Sequence, residues 1–260
     1  MLLQLYPIHP KLQPYVRLIC TMECNEGKDV EQVHVLPDAC VELFISYTET
    51  PVAIIDEQLH KNSIVNSRMS VPTSVQMRKG SGCIAICFHP GMAYPFFSLP
   101  MSIFTNDSIS LNDIWGKVIR EIEDKLATAN THKVRIEMIQ NYLLQLLSSS
   151  KQDLQIGQCL NLIHKAPTEI NLTELHQTIG YSQRHLARKF KQHIGLSPKE
   201  YLKVNRFISS LKHLKKYPEL SLTQIAYQSG YFDQAHFIHD YKTYAKYTPK
   251  ETACSPHILY

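Results

Sequence analysis

The chain has 260 residues, 44% of them hydrophobic and 19% charged, with a formal net charge of +4. This fits one large or two ordinary globular domains, two being expected, and excludes a fibrous, disordered or low-complexity protein. Pro, His and charged residues interrupt every apolar run, including Phe88 to Phe97, before it reaches the roughly 20 residues that cross a bilayer, so no membrane is expected.

Met1 to Pro10 has no basic segment, and Gln4 and Pro7 break its apolar stretch, so no secretory signal is expected and the cytoplasm is the expected location. Residues 12 to 105 read as strands: Tyr15 to Met22, Val33 to Leu36, Val41 to Tyr47, Val52 to Ile55, Ser74 to Arg78 and Cys83 to Phe88 are rich in branched and aromatic residues. Turn signals at Asn25-Glu26-Gly27, Pro37-Asp38 and Lys79-Gly80-Ser81-Gly82 separate them, which predicts a small sandwich or barrel. Over residues 110 to 148 the period becomes helical. Leu111, Ile114, Val118, Ile122 and Leu126 make one stripe and Ile136, Ile139, Leu143, Leu146 and Leu147 another, predicting two helices. The polar stretch Ser148 to Asp153 reads as a linker, which divides the chain into residues 1–150 and 151–260. The overall expectation is an α+β, two-domain protein.

Charge divides at the same place. Residues 1–150 hold 12 Lys+Arg against 15 Asp+Glu, a balance of −3, and residues 151–260 hold 15 against 8, a balance of +7, with 8 of the 13 His. A basic segment of this kind suits a polyanion such as nucleic acid. The seven cysteines, Cys20, Cys24, Cys40, Cys83, Cys87, Cys159 and Cys254, form no disulfide framework, and reduced thiols are expected. Cys83 to Phe88 is an unbroken apolar run, so its cysteines read as small hydrophobes in a buried strand.

Everything after Asp153 reads as helix and contains a repeat of about 50 residues. One copy runs from Asn171 through Gly180-Tyr181-Ser182 and Leu186-Ala187-Arg188-Lys189-Phe190 to Gly195-Leu196-Ser197-Pro198. The other runs from Ser221 through Gly230-Tyr231-Phe232-Asp233 and Ala235-His236-Phe237 to Tyr247-Thr248-Pro249. The glycines are offset by 50 and the closing prolines by 51, so one residue is inserted just after the second turn. Each copy is predicted to be a helix-turn-helix: a short helix capped by Asn171 or Ser221 and ended at Gly180 or Gly230, then a second capped by Ser182 or Asp233. The units cover residues 171–195 and 221–246. Between them Tyr201, Val204, Ile208, Leu211 and Leu214 predict one long helix over 198–217. Burying Leu186, Phe190 and Ile194 leaves Arg184, Arg188, Lys191 and Gln192 outward in the first unit. Burying Phe237 and Tyr241 leaves Ala235, His236, His239, Lys242 and Thr243 outward in the second. Such faces suit a DNA major groove, where arginine bonds guanine edges bidentately.

On these motifs residues 155 to 251 resemble the AraC/XylS family of bacterial transcription regulators, whose DNA-binding domain has two helix-turn-helix units joined by a long helix. The resemblance implies base-edge contacts from Gln183, Arg184, Ala187 and Arg188 in the first unit and from Gln234, Ala235, His236 and His239 in the second. It places Lys191, Lys199 and Lys242 nearer phosphates. His176 stands where the family has a small alanine, His239 where arginine is common, and the family pattern ends early, so a frayed tail is expected over Ser255 to Tyr260. Leu36-Pro37-Asp38, Val41 to Phe44 and Phe88-His89-Pro90-Gly91 are similar to the cupin-like sensing domain of one subgroup, which implies an effector-binding or dimerisation module. The expected partners are double-stranded DNA, a small-molecule effector, a second copy of the chain and, for an activator, RNA polymerase.

Catalysis is not expected. His9, His34, His60, His89 and His132 are isolated, no His-x-His occurs, and nucleophile-elbow, phosphate-loop and dinucleotide fingerprints are missing. Asp38 and Glu42 read as a turn residue and an edge charge. No cofactor or metal is expected. The rival reading is a redox or alkylation sensor on the same DNA-binding module, with Cys20, Cys24, Cys83 and Cys87 holding zinc.

Overall fold

A computed structural model of the protein describes residues 2–24, 33–51, 53–67, 69–151, 153–166, 170–254 and 258–259. The turn expected at Asn25-Glu26-Gly27, Val52, Gln152 of the expected linker, and Ser255 to His257 with Tyr260 lie outside these residues.

The N-terminal half is two sheets. The first has six strands, β1 (Leu2–Tyr6), β2 (Val16–Glu23), β4 (Val41–Ser46), β7 (Ile64–Ser67), β9 (Gly82–Phe88) and β10 (Ser108–Ser110), in the spatial order β1-β2-β9-β4-β7-β10 with antiparallel pairing. The second orders as β11-β3-β8-β5-β6, from β3 (Val33–Val35), β5 (Ala53–Ile55), β6 (Gln58–His60), β8 (Thr73–Met77) and β11 (Ile258–Leu259). Every residue of β9 is buried, because its strand is central and both of its faces are covered. On one face Ile84, Ile86 and Phe88 join the main core. On the other, Cys83 packs with Ile64 of β7 and with Ala53, Ile55 and Met77 of the second sheet.

Three helices follow where two were expected: α1 (Leu111–Trp115), α2 (Lys117–Thr128) and α3 (His132–Ser149). The first stripe is interrupted at Gly116, so Leu111 and Ile114 sit on a separate short helix from Val118, Ile122 and Leu126. Glu42 also differs from expectation. It lies on β4, between β9 and β7, is only 8% exposed, and accepts a hydrogen bond from the Cys87 thiol at 2.7 Å; it is no edge charge.

The C-terminal half is helical, with α4 (Leu154–Lys165), α5 (Leu172–Ile179), α6 (Gln183–His193), α7 (Pro198–Lys216), α8 (Leu222–Gln228), α9 (Gln234–Tyr244) and α10 (Pro249–Cys254). The main core runs without a break from Leu12, Ile84 and Phe96 into Ile156, Leu160, Tyr201, Phe207 and Phe237. Polar contacts join the halves as well. Tyr201 donates to the Pro90 carbonyl at 3.1 Å and meets His164 Nε2 at 2.8 Å; Thr105 donates to the Gly195 carbonyl at 3.1 Å. The tail is not wholly frayed: Ile258 and Leu259 pair in parallel with His34 and Val35, adding an edge strand to the second sheet.

Candidate nucleic-acid interface

Each helix of the two repeats starts on a side chain that satisfies an otherwise unpaired backbone N–H. Asn171 with Glu174, Ser197 with Glu200 and Ser221 with Gln224 form reciprocal capping boxes on α5, α7 and α8. Ser182 accepts from the His185 N–H at 3.3 Å to start α6, and Asp233 from the His236 N–H at 2.7 Å to start α9. Pro198 occupies the first turn of α7, where its missing N–H costs nothing. Between the two units α7 buries Tyr201, Val204, Phe207, Leu211 and Leu214. Phe207 takes the deep position that periodicity assigned to Ile208, which is half-buried.

In the first unit Leu186 and Phe190 anchor α6 while Gln183, Arg184 and Arg188 are exposed on its outer side. Ala187 is half-buried beside them. His185 is half-buried too, stacked on Tyr181 at 4.2 Å between ring centroids, with Arg188 3.5 Å from its Nε2. Lys191 turns towards the end of its own helix, donating to the Gly195 carbonyl at 3.2 Å, and lies 3.9 Å from Glu200. Lys199 is exposed in the first turn of α7.

In the second unit Phe237, Asp240, Tyr241 and Tyr244 anchor α9, and Gln234, Ala235, His239 and Lys242 are exposed. Gln234 is tied back to the preceding helix by a hydrogen bond from the Thr223 hydroxyl at 2.9 Å. His236 is half-buried, edge-on to Tyr231 and 4.0 Å from the buried Asp240 carboxylate. Phe232, just before the Asp233 cap, is 86% exposed.

A second feature lies where the halves meet, and periodicity gave no sign of it. A cleft of about 500 Å³ is lined on one side by Arg17, Asp38, His89 and Pro90 and on the other by Ile208, Leu211, Lys212, Lys215 and Lys216 of α7. Its lining is mostly apolar, with the cationic groups of Arg17, Lys212, Lys215 and Lys216 around it and Arg17 bonded to Asp38 at 3.1 Å. Burial holds the His89 imidazole below its usual range, and the nearby Arg17 charge adds to this, although the Gln13 backbone pulls the other way. The readable trace was the basic run at residues 212–216, which looks like an ordinary helix C-terminus.

Among the described residues no group of three or more His, Cys, Asp or Glu is arranged to hold a metal ion. Cys20 and Cys83 face neighbouring strand positions in the sheet, and burial pushes the Cys20 thiol up to about 11 and that of Cys83 higher still. Buried protonated thiols of this kind pack as apolar groups.

The C-terminal half of the chain is thus a helix-turn-helix domain, two such units joined by one long helix. Residues 175–254 match the family described as "Helix-turn-helix domain", and residues 4–110 match a "Domain of unknown function (DUF6597)". The transcriptional activator RhaS of Enterobacter sp. (strain 638) is 34% identical over 83 residues, covering 32% of this chain and 30% of RhaS. An uncharacterised HTH-type transcriptional regulator of Staphylococcus aureus (strain MSSA476) is 30% identical over 86 residues, which are 32% of this chain and 11% of the relative. The chain thus spans less than a third of the length of either relative. Among solved structures, ToxT from Vibrio cholerae aligns over 96% of this chain and 97% of its own at 13% identity and a TM-score of 0.46. The C-terminal domain of the response regulator yesN from Fusobacterium nucleatum aligns over 38% of this chain and 97% of its own at 28% identity and a TM-score of 0.36.

Proposed function

We propose that the protein is a sequence-specific DNA-binding transcription regulator whose N-terminal half, residues 1–150, is a sensing or dimerisation domain. One observation carries this reading: two helix-turn-helix units on a single connecting helix each present an exposed polar face, Gln183, Arg184 and Arg188 on α6 and Gln234, His239 and Lys242 on α9. On DNA the two helices enter successive major grooves on one side of the duplex, about 34 Å apart. Gln183, Arg184, Ala187, Arg188, Gln234, Ala235, His236 and His239 read base edges, and Lys191, Lys199 and Lys242 lie nearer phosphates. The chemistry is recognition and not catalysis.

The cleft between the halves is the effector site in this reading. Its apolar lining and its cationic residues suit a small organic anion, and an occupant touching both Arg17 and α7 biases how the halves pack, provided its affinity differs between the two packings. A second copy of the chain and RNA polymerase are the remaining partners.

The test is fluorescence anisotropy of the full chain with DNA from upstream of its own gene and with a scrambled duplex, across a salt series. Tight binding to the first that weakens as salt rises, with discrimination against the second, is the expected result. Equal, weak binding to both, persisting through a screen of selected random duplexes, overturns it.

A further inference from the structure

The two repeats can be laid over one another residue by residue, and the overlay isolates a single extra side chain. Tyr181 and Tyr231 correspond: each follows the turn glycine, and each packs its ring against a histidine three residues past the helix cap, His185 at 4.2 Å and His236 at 5.3 Å. The glycines and tyrosines are 50 residues apart, but the caps Ser182 and Asp233 are 51 apart. The residue that makes up the difference is Phe232, which has no counterpart in the first unit.

The inserted side chain adds nothing to the core. Tyr231 already fills the pocket behind the turn, 3% exposed and packed edge-on against Phe237 at 5.3 Å. Phe232 is 86% exposed, the most exposed of the large hydrophobic side chains among the described residues. A phenyl ring held in water gains only when a partner desolvates it. Its immediate neighbours on α9 are Gln234 and Ala235, with His239 and Lys242 one and two turns on, a polar and cationic face that matches a polyanion and not an apolar protein patch. The ring carries no donor or acceptor, so it has nothing to offer phosphates or base edges. The apolar group that the major groove presents is the thymine 5-methyl.

We propose that Phe232 is a specificity-determining residue of the second unit, seating its ring against a thymine 5-methyl group at the edge of the site that α9 reads. The inference rests on the DNA-binding reading above and deepens it. It gives the two units different preferences: the first has no counterpart of this ring, and the second adds a requirement for thymine at the edge of its site.

The experiment selects a preferred duplex for the full chain from a random pool, then replaces each thymine in it with deoxyuridine, one at a time. Wild type, Phe232→Ala and Phe232→Leu are compared by anisotropy at fixed salt. Removing one buried methyl group is expected to weaken wild-type binding about fourfold at one or two positions within one half of the site. Phe232→Ala loses at least as much on the thymine duplex and nothing further on the uracil one, and Phe232→Leu keeps part of the discrimination. Its salt dependence stays that of wild type, because no charge is removed. Since the ring is exposed, all three proteins are expected to melt together, and a thermal scan checks this. Uracil substitutions that weaken wild type and Phe232→Ala equally overturn the proposal. So does unchanged DNA binding by Phe232→Ala with loss of promoter activation, which assigns the ring to a protein partner. If no duplex is selected at all, the DNA-binding reading fails and takes this inference with it.

Discussion

Arg188 stands one helical turn beyond Arg184 on the outer side of α6, its guanidinium 3.5 Å from the His185 ring, which is itself clamped on Tyr181. That stack restricts where the arginine can point, and a fork held in one direction loses less entropy on meeting a guanine edge. Arg188→Ala is therefore expected to cost about 1–3 kcal/mol at one base pair of the preferred duplex and to relax selectivity there, leaving other positions unchanged. Lys242→Ala is expected to behave differently. It weakens binding to every duplex alike and lowers the slope of log affinity against log salt by about one, as the loss of a phosphate contact does. Anisotropy titrations of both variants on single-base duplex variants distinguish the two roles. An Arg188→Ala profile as flat as that of Lys242→Ala removes Arg188 from base reading. Tyr201 is a residue-scale case of another kind. Its hydroxyl, wholly buried, donates to the Pro90 carbonyl at 3.1 Å and meets His164 at 2.8 Å, so Tyr201→Phe removes both of these contacts and leaves His164 and the Pro90 carbonyl only each other. A loss of about 1–3 kcal/mol in urea melts is expected, and an unchanged midpoint would show that water replaces the hydroxyl.

At the scale of elements, two glycines that end recognition-unit helices separate backbone conformation from packing. Gly180 and Gly195 both have positive φ, +74° and +93°. A side chain at Gly180 meets nothing within 4 Å, whereas one at Gly195 comes within 2.8 Å of Thr105 Oγ1 and 2.9 Å of the Met101 carbonyl. Gly180→Ala is expected to cost about 1 kcal/mol from conformation alone. Gly195→Ala costs more, because the end of α6 must also move away from the segment that carries Met101 and Thr105. Thermal melts test the order, and equal losses would show that this junction gives way freely. The same contrast explains what could be read in advance. Helix starts in the two repeats were legible because each is written locally, in Asn171, Ser182, Ser221 and Asp233 a few residues from the N–H they satisfy. The outward residues of α6 followed from Leu186 and Phe190 by helical spacing alone. β7 was illegible because half of it is polar: Asn66 accepts from the Ser108 hydroxyl and the Ser67 N–H donates to the Asp107 carbonyl just before β10, partners about 40 residues away. β1 escaped notice because Gln4 interrupts its leucines, which remain exposed at the sheet edge.

The molecule as a whole is joined by contacts between residues far apart in the chain, which is why neither the cleft nor the junction could be foreseen from spacing. Three histidines lie along that junction. His89 lines the cleft, His164 bonds Tyr201, and His193 packs edge-on to Tyr94 at 5.0 Å and lies 3.8 Å from Asp153. All three titrate below the usual 6.5, in each case first because burial disfavours the charged ring, and for His164 also because His89 and Lys212 bring positive charge near. Unfolded, these rings take up protons as the pH falls through about 6.5; folded, they resist until the pH is lower. The unfolded state then binds more protons, so stability declines as the pH drops below that range. Asp153 acts in the same direction at stronger acidity. Burial alone would raise its carboxyl, but the Lys189 hydrogen bond at 2.5 Å, the Ile156 N–H and the charges of Lys189 and His193 hold it below 3.8. Its contribution is present above 3.8 and disappears as the pH falls through the lower, folded value. Urea melts at pH 7.5, 6.5 and 5.5 are expected to show a falling midpoint, and the amide of Gly91, bonded to the Ala39 carbonyl at 3.2 Å beside the cleft, is expected to exchange progressively faster relative to amides within β9. His164→Gln removes one of the three rings and is expected to flatten the dependence between pH 7.5 and 5.5 while lowering stability at pH 7.5. A midpoint that does not move over this range in the wild-type protein would mean that the junction histidines are solvated enough to protonate without loosening the two halves, and that acid reaches the fold elsewhere.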